Sequence, residues 1–370
     1  MIPFKYGSVV SGNDFCGRKN SIRELKEFIL SSQNVLIQGE RRIGKTSLIY
    51  ETVRNMKNYS PLLIDLMEIK TSHDFCQRTI KTIIALESKG NFLAKILKFV
   101  SSLRPQLGID PLTSLPTVSL DPTITLTPES IENIFDLIKE INRKKKVVVV
   151  LDEFQDILNL SDVGQTLAVL RSRIQYHKNI PYIFAGSVRH KMDDIFIKPD
   201  SPLFKAAIPV TIGPLSRKDL STFIKKKFSI GKRSISEGAL DYIYKITDYV
   251  TGDIQQLCEA LWSVTSSGDL IAEDRLSDAF GLIFARESRS YEFIISQLTT
   301  LQFKCLEGLA KLGGTAPTSS AFLSTTGIRQ PSSVTKSLAK LQKINIIFKI
   351  NKEYRFVNPF FKAWINTKNL

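Results

Sequence analysis

The chain has 370 residues, 43% of them apolar, and a net charge of +15. That length exceeds one ordinary domain and supports substantial cores, which excludes a small disulfide- or metal-stapled module and a disordered chain. Its four cysteines, Cys16, Cys76, Cys258 and Cys305, lack paired spacing, so reduced thiols in a cytoplasmic protein are expected rather than a disulfide framework or a zinc site. The N-terminal residues carry no signal-like apolar segment and no run is long enough to span a bilayer, so no membrane partner is expected.

In chain order, Ile22, Leu25, Phe28 and Ile29 form the apolar stripe of a first amphipathic helix. The apolar run Asn34-Val35-Leu36-Ile37-Gln38 predicts a strand, and Ser47 to Val53 predicts a helix. Between them stands Gly39-Glu40-Arg41-Arg42-Ile43-Gly44-Lys45-Thr46. This is G-x-x-x-x-G-K-[ST] in the strand-turn-helix setting that gives it meaning: the glycines let the backbone wrap so that amides and a helix N-terminus point at phosphate oxygens. Gly39, Arg42, Ile43, Gly44, Lys45, Thr46 and Ser47 are therefore expected to bind ATP or ADP. Lys45 would reach the β- and γ-phosphates, and the Thr46 hydroxyl would bind Mg²⁺.

A second strand is predicted at Leu62 to Leu66, followed by helix-like sequence from about Ser72 to Leu103. Prolines at 105, 111, 116, 122 and 128 punctuate the next segment. Alternation in Thr117-Val118-Ser119-Leu120 and Thr123-Ile124-Thr125-Leu126 around Asp121-Pro122 predicts a small hairpin inserted at about 105–127. Thr127 and Pro128 open a helix through Ile141.

Val147-Val148-Val149-Val150-Leu151 reads as a strand buried on both faces. Asp152 and Glu153 stand at its C-terminal end, the edge at which open α/β sheets bind ligands. Asp152 would hold Mg²⁺, and Glu153 would polarise the attacking water. Further strands are predicted at Tyr182 to Ala185 and Ile208 to Ile212. Ser187 either senses the γ-phosphate and orients water or caps the next helix. Five strands alternating with helices predict a parallel three-layer sandwich over residues 1–215.

Residues 216–290 read as a small helical lid, with helices at Ser236 to Ile246, Asp253 to Val264 and Glu273 to Phe284. Residues 297–370 hold eleven basic against two acidic side chains, a net +9 that suits a polyanionic partner or serves solubility. Helices at Leu301 to Leu312, Ser319 to Thr325 and Ser332 to Lys343, then strands at Ile346 to Ile350 and Tyr354 to Val357, predict a winged helix. Val334, Leu338 and Leu341 would pack inward. Arg329, Ser333, Lys336, Lys340, Lys343, Lys349, Lys352 and Arg355 are the candidate contacts to double-stranded DNA, although winged helices also dock proteins.

With these residues in hand, the chain resembles the archaeal-type ATPases of the STAND branch of P-loop NTPases, related to AAA+ proteins of the origin-initiator group. The resemblance runs from Phe15-Cys16-Gly17-Arg18 through the glycine-bounded loop, Val147 to Gln155, Gly186 to His190 and Ser201-Pro202-Leu203-Phe204, to the terminal winged helix. It implies that Cys16, Gly17 and Arg18 lie against adenine and ribose. It also places Gln255 where related proteins carry an arginine that touches the γ-phosphate, and a neutral amide cannot make that charge-assisted contact. Arg189 is the better candidate for an arginine finger, or else a surface residue. The two phosphate-site motifs and the +9 tail together point to a slow ATPase switch that engages DNA, with association into a homo-oligomer left open. The alternatives are a signalling or defence switch whose winged helix docks a protein, and a helper ATPase of a mobile element.

Overall fold

The computed structural model describes residues 2–86, 106–109, 116–119, 121, 128–350 and 352–367. They form two compact units, one made of Gly7–Leu220 with Val250–Gly252 and the other of the remaining residues.

The first unit is built on a five-stranded parallel sheet. Its strands are β1 (Val35–Gln38), β2 (Tyr59–Asp65), β5 (Lys146–Asp152), β6 (Tyr182–Gly186) and β7 (Ile208–Thr211), ordered β2-β5-β6-β1-β7. Helices α1 (Lys19–Leu30), α2 (Lys45–Arg54), α3 (Ser72–Leu86), α4 (Pro128–Lys144), α5 (Val163–Tyr176) and α6 (Arg189–Phe196) alternate with the strands. β5 shows why the unit has three layers. Val147, Val149 and Leu151 join one buried cluster with residues of α3, α4 and α5, whereas Val148 and Val150 join another with residues of α1 and α2. A period of two sends successive side chains to opposite faces, and a strand apolar at every position must be covered on both. The two edge strands each contain a proline, Pro61 in β2 and Pro209 in β7.

All five predicted strands are present. The inserted segment also holds a hairpin: β3 (Gln106–Ile109) pairs antiparallel with β4 (Pro116–Ser119), Gln106 opposite Ser119. The expected pairing of Thr117–Leu120 with Thr123–Leu126 falls partly on residues outside the described set; what the structure adds is the partner of the first segment on its N-terminal side. Residues 122–127 lie outside the described set, as does the predicted helical stretch beyond Leu86.

In the second unit, α8 (Glu237–Thr247) and α10 (Arg275–Ser296) accompany β8 (Ser234–Ile235) and β9 (Leu270–Ile271), a two-residue parallel pair too short for periodicity to reveal. Helices α7 (Arg217–Ser229) and α9 (Thr251–Val264) contribute to it. α10 runs twelve residues past its predicted end at Phe284. The reason is Tyr291, buried against Phe361 and Trp364 at ring-centroid distances of 5.1 and 5.3 Å. Those rings belong to α14 (Pro359–Thr367), a helix absent from the sequence reading. Its signal was available: Asn358 Oδ1 accepts from the amides of Phe360 and Phe361, Pro359 sits at the first helical position, and Phe360, Phe361, Trp364 and Ile365 make one apolar face.

The winged-helix elements are α11 (Thr300–Leu312), α12 (Ser320–Thr326), α13 (Pro331–Lys343) and the hairpin β10 (Ile347–Ile350) with β11 (Glu353–Phe356). Thr299 and Gln302 form a capping box on α11, and Ser319 caps α12. Gly314 is where the wing closes on the helices: its carbonyl accepts from Tyr354 N at 3.0 Å, and a Cβ there would stand 1.8 Å from the Tyr354 carbonyl oxygen.

Candidate functional site at the strand tips

The order β2-β5-β6-β1-β7 puts the C-terminal ends of β5, β6 and β1 side by side. The loop leaving β1 is held from several directions. Gly44 takes φ +93°, a left-handed backbone that glycine adopts freely, and its missing side chain leaves open space. Gly39 is needed for a different reason, since a Cβ there would lie 2.6 Å from the Ile212 carbonyl oxygen. Arg42 is itself left-handed at φ +62°, and its carbonyl accepts from Gly252 N at 3.0 Å.

α2 begins at Lys45, so its N-terminal amides open toward this loop. The Lys45 ammonium, 5% exposed, donates to the carbonyls of Gly39 (3.1 Å) and Glu40 (2.9 Å). Burial holds its pKa down, while Glu153 and Asp152 oppose that shift. Across the strand tips Thr46 Oγ1 donates to Asp152 Oδ2 at 2.5 Å. Burial pushes the Asp152 carboxyl up, and the Thr46 hydroxyl pulls it back. A hydroxyl and a carboxylate face to face are hard oxygen donors of the kind Mg²⁺ takes from protein, the remaining positions going to phosphate and water.

Glu153 has φ +47°. Its Oε2 accepts from Gln155 Nε2 at 2.6 Å and from Ser187 Oγ at 2.7 Å. Ser187 therefore faces the acid. It does not cap α6, whose cap position is Val188. Arg18, also left-handed, donates through Nη2 to the carbonyls of Ile43 and Gly213, both at 2.9 Å, tying the glycine-bounded loop to the exit of β7. Beside it, Cys16 is buried with its thiol pushed up to about 11 by desolvation, and its Sγ lies 3.5 Å from the Asp219 carbonyl oxygen. Gly17, at φ +63°, lies against Leu215 and Asp219. Ser47 Oγ accepts from Val10 N at 3.1 Å, and Glu51 accepts from Gly12 N at 2.8 Å.

A family described as an ATPase domain predominantly from Archaea matches residues 15–257. The chain belongs to this archaeal ATPase family. A probable winged helix domain matches residues 289–367. Among solved structures, the ATPase is similar to a Walker-type ATPase of Pyrococcus abyssi, with 19% identity, a TM-score of 0.67, and 98% of this chain and 99% of that one covered. It is also similar to the ORC1 protein of Aeropyrum pernix, solved in complex with DNA, with 11% identity, a TM-score of 0.54, and 97% and 96% covered. At such identities the likeness is one of fold: a parallel-sheet P-loop NTPase with a C-terminal winged helix. No curated protein matches the sequence.

The other predicted residues of the ATPase fall on other elements. Arg189 is the exposed first residue of α6. Gln255 lies in the second unit on α9, buried, its Oε1 without a hydrogen-bond partner. On α13, Lys336, Lys340 and Lys343 are exposed while Val334, Leu338 and Leu341 are buried; Ser333 is half-buried. Arg329, Lys349 and Lys352 are exposed, with Lys349 Nζ 4.9 Å from the Tyr354 ring centre. The Arg355 guanidinium is paired with Glu353 (2.7 Å) and Asp248 (3.3 Å). Gln155, Gly252 and the Val10–Gly12 segment were not among the predicted site residues. Gln155 had a signal, an amide two residues beyond the acidic pair, and Gly252 opens the Gly252-Asp253-Ile254-Gln255 stretch that holds Gln255.

Proposed function

We propose that the chain is a slow ATP-hydrolysing switch of the STAND type that engages double-stranded DNA through its winged helix. The observation that carries the nucleotide half is the 2.5 Å contact between Thr46 and Asp152, which brings the glycine-bounded loop and the acidic strand end to one point. In this reading Gly39 to Ser47 wrap the phosphates, Lys45 exchanges its two carbonyl partners for phosphate oxygens, and Glu153 polarises water with Ser187 beside it. Cys16, Gly17 and Arg18 flank the base, and Arg189 reaches a neighbouring copy. Thr46 and Asp152 would hold Mg²⁺, which supplies charge neutralisation on the phosphates. Residues 1–215, 216–290 and 297–370 then act as ATPase, lid and DNA-reading domains. The lid signal is weak because Gln255 carries no charge.

Lys45→Ala tests the nucleotide half: equilibrium binding of ATP should weaken at least tenfold, and wild-type affinity would remove the site. DNA affinity titrated against salt tests the other half. A steep loss between 50 and 200 mM is expected if several phosphates are contacted.

One observation favours a second reading, in which the winged helix docks a protein. Arg355 already has two carboxylate partners, which removes one cation from the wing. Undetectable duplex binding at low salt would select that reading.

A further inference from the structure

Glu153, Gln155 and Ser187 close a ring at the tips of β5 and β6. Gln155 Nε2 and Ser187 Oγ both donate to Glu153 Oε2, and the Ser187 amide donates to Gln155 Oε1 at 3.3 Å. Gln155 is 3% exposed, so water does not compete for these bonds. Both ends of the amide are used, and their partners fix its orientation: nitrogen toward a carboxylate that only accepts, oxygen toward a backbone N–H that only donates. The neighbouring glycine makes room, since a Cβ on Gly186 would lie 2.8 Å from Gln155 Oε1 and 2.5 Å from Met192 Sδ.

We propose that Gln155 is a positioning residue for ATP hydrolysis: its amide yokes Glu153 to Ser187, fixing the carboxylate through one oxygen so that the other is presented to water. The inference rests on the assignment of Glu153 made above. Packing alone would not need the amide, because a leucine or methionine fills similar space. A buried amide is retained at a desolvation cost that only its hydrogen bonds offset.

The test is steady-state hydrolysis by the full chain, read beside equilibrium binding of ATP and the thermal midpoint. Gln155→Leu should lower kcat roughly ten- to a hundredfold, with KM and ATP affinity within about twofold. Ser187→Ala should lower kcat less. The double variant should be no slower than Gln155→Leu, because residues acting through one oxygen are not additive. In a Glu153→Gln background neither change should slow the residual rate further. Wild-type kcat in Gln155→Leu overturns the proposal, and so does a fall in kcat matched by an equal fall in ATP binding, or one that persists undiminished in the Glu153→Gln background. If Gln155→Leu does not fold, Gln155→Met is read by the same criteria. Should Glu153→Gln by itself keep wild-type turnover, the assignment of Glu153 fails and this inference with it, a result distinct from failure of Gln155 alone.

Discussion

Gly39 and Gly44 bound one loop but resist substitution for unrelated reasons. A methyl on Gly44 meets nothing within 4 Å, so Gly44→Ala costs only the left-handed backbone, about 1–2 kcal/mol. A methyl on Gly39 meets a backbone carbonyl, and relief requires the end of β7 to move. Gly39→Ala should therefore lower the thermal midpoint more than Gly44→Ala, while both weaken ATP binding. Asp152 gives a residue-scale prediction with a defined sign. Burial raises its carboxyl above the ordinary 3.8, so the folded chain keeps this proton to higher pH than the unfolded chain does. Its contribution to stability is complete below 3.8 and is lost as pH rises through the folded value. Asp152→Asn, which can still accept from Thr46, should flatten that part of the pH–stability profile. It should also raise the thermal midpoint of the nucleotide-free protein at neutral pH and abolish stabilisation by ATP with Mg²⁺.

At the scale of elements, β5 was legible from five residues, because an unbroken apolar β-run has one arrangement in which every side chain is covered. The glycine-bounded loop was legible because its spacing encodes a backbone path rather than a set of contacts. The pairing of Gln106–Ile109 with Pro116–Ser119 was not: short polar alternating segments specify pairing weakly, and Gln106–Ile109 offers only Leu107 and Ile109 to announce a strand. Nor was the pair of His177, just beyond α5, with Tyr182 at the start of β6. His177 Nδ1 and Tyr182 Oη are 2.6 Å apart in the core, and His177 Nε2 has no partner. Burial lowers the imidazole pKa from 6.5 to about 4. The unfolded chain thus binds the proton first, and stability present above pH 6.5 is lost as pH falls toward 4. Thermal midpoints measured across that window should drop in the wild type and drop less in His177→Asn.

Across the whole molecule the excess charge is concentrated rather than spread, with +9 of the +15 in the last 74 residues. If α13 meets phosphates, combined replacement of Lys336, Lys340 and Lys343 by Ala should reduce the slope of log affinity against log salt by about 3. Arg355→Ala should change that slope by much less, because its charge is already compensated. A change of about 1 on Arg355→Ala, the same as one lysine contributes, would mean that the wing pairing breaks on binding.

The prolines at both margins of the parallel sheet carry a consequence for self-association. A proline offers no amide hydrogen, so Pro61 on one flank and Pro209 on the other interrupt the donor row that an incoming strand would have to read. Growth of this sheet by strand addition is disfavoured from either side. Self-association through this sheet would have to use side chains of its covering helices and loops rather than strand pairing.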